Sequence, residues 1–72
     1  MKNAGYEIIR RKHLTDNFDA VIGYDPENPI PYVCWLYNKD GDTYGYGTYY
    51  KELRDFDDAM EGKRYIVKPR YW

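Results

Sequence analysis

Between residues 18 and 24 the chain alternates, with Phe18, Ala20, Ile22 and Tyr24 on one parity and Asp19, Val21 and Gly23 on the other. A period of two is what a strand presents to its two faces. The preceding YEIIRRKHL (6–14) has strand composition, and TDN (15–17) between the two segments is turn chemistry. A three-residue loop with Asn17 in the left-handed region would pair Leu14 with Phe18, His13 with Asp19 and Ile8 with Tyr24.

DPENPIP (25–31) carries three prolines, each removing a ladder donor, and predicts an irregular crossing between hairpins. YVCWLYN (32–38) is the strongest strand pattern in the chain. Asp40-Gly41 then signals a type I′ turn, with a returning strand over about 43–50. That turn would set Trp35 against Tyr46, Tyr37 against Tyr44 and Val33 against Thr48 on one face. Leu36 would meet Gly45, Cys34 would meet Gly47 and Tyr32 would meet Tyr49 on the other.

In KELRDFDDAME (51–61) the period changes. Leu53, Phe56 and Met60 form an amphipathic helical stripe, Arg54, Asp55, Asp58 and Glu61 face outward, and Gly62 is the expected stop. RYIV (64–67) reads as a short last strand before Pro69 and the tail RYW. The predicted fold is α+β, an antiparallel sheet of four to five strands with one amphipathic helix on one face, ββββα with a possible final strand. The helix is expected on the Val33, Trp35, Tyr37, Tyr46 and Tyr50 face, the most aromatic one.

Pro31, Tyr32, Val33, Trp35 and Tyr37, then Tyr46, Gly47, Tyr49 and Tyr50, then Leu53, Phe56 and Ala59 make up a pattern over about residues 15–61. In it the chain resembles a group of small uncharacterised proteins carried by conjugative transposons of gut clostridia. The group tends to have Trp where this chain has Tyr46, and the basic end KRYIVKPRYW is particular to this chain. The resemblance implies a bacterial host and a mobile-element setting, and brings no catalytic set with it.

Length changes the picture next. Seventy-two residues make one domain with a marginal core, because so short a chain buries only about 60% of its unfolded surface. One cysteine, Cys34, forms no internal disulfide and fits a reducing compartment, and Cys34 with His13, the sole histidine, cannot complete a zinc site. Ten tyrosines, two tryptophans and two phenylalanines supply the missing core mass. No secretory or membrane-spanning run is present, so a cytoplasmic protein without cofactor or metal is expected.

The net charge of −1 conceals a segregation. Residues 1–14 set four cations against one acid, residues 15–62 three against eleven acids, and residues 63–72 four against none. The basic ends make Arg10, Arg11, Lys12, Lys63, Arg64, Lys68 and Arg70 nucleic-acid candidates, with Tyr65, Tyr71 and Trp72 available for base stacking. Residues 63–72 would then be a basic C-terminal strand or tail. The acidic helix could alternatively present Asp55, Asp58 and Glu61 to a host defence enzyme as a nucleic-acid mimic.

Two glycines at alternate strand positions are costly, at about 0.5–1 kcal/mol each against alanine, and ask for a reason. Gly45 and Gly47, walled by Tyr32, Leu36 and Tyr49, are the protein-binding candidates, as an open trench on the face away from the helix. Catalysis has little to work with. There is no serine and no glycine-rich phosphate loop, and Cys34 sits mid-strand. The expected role is a non-enzymatic interaction or adaptor module of a mobile element, binding a protein partner as a monomer or as a weak homodimer through a sheet edge.

Overall fold

The computed structural model describes residues 2–52 and 55–67, the last two by backbone alone. The expectations placed on Leu53, Arg54 and residues 68–72, Lys68 and Arg70 included, lie outside the described residues. Five antiparallel strands follow one another across a single curled sheet: β1 (Lys2–Asn3), β2 (Tyr6–His13), β3 (Phe18–Tyr24), β4 (Tyr32–Asn38) and β5 (Thr43–Tyr50). One helix, α1 (Phe56–Val67), packs against β3 and β4. The protein is therefore of the α+β class that the hydrophobic pattern predicts. Among the described residues no helix is long and apolar enough to cross a membrane.

Each junction shows local chemistry, in two places different from the expected one. Ala4 and Gly5 both have positive φ, 52° and 87°, and close the short β1–β2 hairpin in the manner of a type I′ turn. At the next turn the Phe18 N–H donates to the Thr15 carbonyl and hydroxyl, and Asn17 is not left-handed. His13 does face Asp19, but an extra residue at Ile9 shifts the register, so Tyr24 faces Glu7 and not Ile8. The proline-rich crossing is held by its own Asx turns, with Asp25 and Asn28 accepting from the N–H groups of Glu27 and Ile30. Tyr6 anchors it through its hydroxyl, 2.9 Å from the Ile30 carbonyl.

The β4–β5 turn is a loop over residues 39–42 in which Asn38 Oδ1 accepts from the N–H groups of Asp40 and Gly41. The left-handed residue is Asp42, φ 51°, so the expected type I′ turn at Asp40-Gly41 is not the one formed. Pairing near the loop is as expected, with Tyr37 opposite Tyr44 and Leu36 opposite Gly45. Beyond it a bulge changes the register, and Cys34 faces Thr48, Val33 faces Tyr49 and Tyr32 faces Tyr50.

The largest correction concerns the face that carries the helix. Met60 is buried with Leu14, Ala20, Ile22, Cys34 and Leu36, and Phe56, Ala59, Tyr32 and Tyr50 pack at the margin. The helix thus stands on the Cys34–Leu36 side, where the open trench was expected. Trp35 belongs to a second cluster on the other side, with Tyr6, Val21 and Val33, flanked by Ile8, Tyr37 and Tyr44. No helix is needed to cover it. The curl of the sheet brings Tyr6 of β2 edge-on to Trp35 at 5.7 Å and within 6.1 Å of Tyr49 on β5. Aromatic rings from both sides of the curl close this face over Trp35, which is 5% exposed.

The helix also lies further along the chain than predicted. Asp55 is its N-cap: Oδ1 accepts from the Asp58 N–H at 3.2 Å, satisfying one orphan donor of the first turn. Asp57 and Asp58 sit where the helix dipole favours acids, and Arg64 lies in the last turn. Gly62 does not stop the helix, and residues 64–67, read as a strand, are its final turn. Gly62 is exposed, and a Cβ there would meet nothing within 4 Å. Gly62→Ala is therefore expected to raise stability by about 0.5–1 kcal/mol, read as a higher urea midpoint at unchanged slope.

Candidate functional site

β5 is an outer strand of the sheet and carries no charged residue from Thr43 to Tyr50. Natural sheet edges are commonly guarded by charges, by bulges or by both. Here the charges are absent and a bulge interrupts the strand. Tyr46 takes φ 52°, a left-handed conformation that costs a bulky side chain about 1–2 kcal/mol. Its ring gains little burial in return, since Tyr46 is 66% exposed. The expectation that Tyr46 lies in the core beneath the helix is thus overturned, and the inserted bulge residue is the physical reason.

The bulge is held from the helix side by Lys63. Its ammonium donates to the Tyr46 carbonyl and to Thr48 Oγ1, the latter at 2.9 Å. Lys63 continues the stripe of Phe56, Ala59 and Met60, and it is buried at 6% exposure. Burial pushes its pKa below the ordinary lysine range, an effect opposed by the nearby Cys34. Cys34 in turn is raised by burial, with Lys63 opposing, and its thiol donates to the Ala59 carbonyl at 3.6 Å. A buried thiol with a raised pKa is a packing group, not a nucleophile.

The two glycines of this stretch part company across the bulge. Gly45 faces Leu36, and its missing side chain leaves open space. Gly47 lies against Trp35, where a Cβ would stand 2.9 Å from the indole Nε1. Of the other residues assigned to the trench, Leu36 is buried under the helix and Tyr32 packs between Tyr24 and Phe56. Of the five, Gly47 and Tyr49 are exposed, Tyr49 at 52%.

The basic candidates are dispersed and mostly engaged. Lys12 pairs with Glu61 at 3.1 Å, and Arg64 reaches both Glu61 at 2.7 Å and the Leu14 carbonyl at 3.2 Å. These two cations hold the Glu61 carboxyl below its usual range. Arg10 lies over the Phe56 ring on the helix side, whereas Arg11 lies over Tyr37 on the aromatic side. Arg11 also approaches the buried Asp19, as do Lys39 and His13 at 3.2 and 3.6 Å. Asp19 Oδ1 accepts no well-aligned hydrogen bond, so the Arg11 and Lys39 contacts act as charge compensation.

Among the acids of the helix, Asp55 is occupied as the cap, and a separate side-chain hydrogen bond with the Asp55 carboxyl holds the Asp58 carboxyl above its ordinary range. Among the described residues no group of three or more His, Cys, Asp or Glu could hold a metal ion. No protein-family model, curated protein or solved structure matches the chain. The feature that sequence reasoning missed is the bulge itself. Its local signal is GYG (45–47), because an isolated glycine inside a strand pattern marks a bulge as readily as a trench.

Proposed function

We propose that the chain is a non-enzymatic protein-interaction module whose contact surface is the outer edge of β5 around Tyr46 and Tyr49. The bacterial mobile-element setting implied by the resemblance belongs to the same reading. One observation carries it: an aromatic side chain is kept in a left-handed conformation and pointed at solvent. Strain held without a folding gain is characteristic of functional positions. Tyrosine suits the task, because it offers rigid amphipathic area at low entropic cost.

Nucleic-acid binding through the basic ends and mimicry by the acidic helix are less well supported. Lys12, Arg11, Arg64 and Glu61 are already paired, Lys63 is buried and Asp55 is a cap.

Asparagine tolerates the left-handed region. Tyr46→Asn is therefore expected to stabilise the isolated domain by up to about 1 kcal/mol in urea unfolding, while a partner captured from the host by the wild type is lost. A stabilised variant that keeps every captured partner would remove the β5 edge from consideration.

A further inference from the structure

We propose that the partner for which the β5 edge is built is a second copy of this chain, joined antiparallel through β5 about a twofold axis at the bulge. The proposal rests on the reading of β5 as the contact surface. Its first support is sidedness. Thr43, Gly45, Thr48 and Tyr50 face Asn38, Leu36, Cys34 and Tyr32 of β4 and so share the helix side, whereas Tyr44 and Tyr49 face Tyr37 and Val33 on the aromatic side.

Two identical strands related by an axis normal to the sheet must match face with face. In the register that sets the two bulges opposite each other, Gly45 meets the partner's Thr48, Tyr44 meets the partner's Tyr49, and Thr43 meets the partner's Tyr50. Every one of these pairs falls on a common face. A straight strand in that register would set each residue against one of the opposite face, because sides alternate residue by residue. The inserted residue at Tyr46 removes the mismatch.

The second support is charge. β5 is uncharged, but Asp42 precedes it and Lys51 follows it, and both are exposed. The same register places Asp42 of each copy opposite the partner's Lys51, so the interface begins and ends in a complementary pair. Opposite charges across a strand pair stabilise it and like charges oppose it.

Sedimentation equilibrium of the purified chain tests this directly, and a dimer that grows with concentration is expected. Lys51→Asp, at an exposed position outside the strand, should weaken dimerisation by about tenfold or more, as should Asp42→Lys, with circular dichroism checking each fold. An equimolar mixture of the two variants places opposite charges at both ends again and should recover a dimer that neither forms alone. A wild type that stays monomeric up to about 1 mM overturns the proposal. So does a Lys51→Asp variant that dimerises like the wild type. A monomeric wild type whose Tyr46→Asn variant still loses its captured partner would overturn the dimer alone and leave the contact surface in place.

Discussion

Gly23→Ala is expected to cost the domain about 1–3 kcal/mol, whereas Gly45→Ala, one hairpin away, should be neutral or slightly stabilising. Both glycines lie in strand interiors, and the difference is what a Cβ would meet. At Gly23 it would stand 2.9 Å from Trp35 Cζ3, 2.9 Å from Tyr6 Cβ and 3.0 Å from Val33 Cγ1. None of these is the loose end of a flexible side chain. The first belongs to a rigid ring, the second sits next to the backbone, and the third is a methyl of a fully buried valine. Relief therefore requires Trp35 or the β2 backbone to move. At Gly45 nothing lies within 4 Å. In a domain this small, 1 kcal/mol corresponds to about 4–8 °C in Tm, so thermal unfolding of the two variants separates them clearly. Equal stability of Gly23→Ala and the wild type would mean that Trp35 is not packed across Gly23, and that the side without the helix is not a core.

That second core explains which parts of the structure were legible in the sequence. Four strands and a helix follow from period and turn chemistry; the strands appear where the pattern puts them, while the helix runs over Phe56–Val67 in place of 51–61. The side on which the helix packs does not follow, because both faces of the central strands are apolar. Ala20-Val21-Ile22 and Val33-Cys34-Trp35-Leu36 are buried without interruption. An unbroken run signals burial on both sides, and alternation within it cannot say which side takes the helix. Aromatic bulk pointed to Trp35, but aromatic rings can cover their own face once the sheet curls. Tyr6, from the far end of β2, supplies that cover.

The bulges were the second obstacle. One inserted residue reverses every side chain beyond it. At Ile9 this moved Tyr24 opposite Glu7. At Tyr46 it divided the presumed trench, sending Gly47 and Tyr49 to the aromatic side and Tyr50 to the helix. The helix boundary misled for a different reason. Gly62 resembles a C-terminal stop, yet a glycine on the exposed side of a helix costs only about 1 kcal/mol, and the buried stripe continues past it to Lys63.

Loss of Lys63 is expected to be at least as damaging as the Gly23 substitution. Lys63→Ala removes a buried aliphatic stem and leaves the Tyr46 carbonyl and the Thr48 hydroxyl without their donor, a combined loss of about 2–4 kcal/mol. Lys63→Met keeps the stem and discards only the donor, so about 1–2 kcal/mol should go. The difference between the two measures packing, and the remainder measures the clamp on the bulge. The pH dependence carries an independent signature. Burial lowers the Lys63 pKa, so above that value the unfolded chain binds the extra proton, and this residue's contribution to stability increases as pH climbs to the ordinary lysine value of about 10.4. Tyr6, raised by burial, and Tyr37, raised by its hydrogen bond to Asp42, act in the opposite sense. Their stabilisation is intact below the ordinary tyrosine value of about 10 and is lost as pH rises through their folded values. The buried Cys34 thiol, also raised, falls in the same way, so the wild type sets one rising contribution against three falling ones. Lys63→Met has only the falling ones, and between pH 9 and 11 its urea midpoint should drop more steeply than that of the wild type. Parallel curves would place the Lys63 ammonium in water, away from the bulge, and β5 would then have to hold Tyr46 in its left-handed conformation without help from the helix.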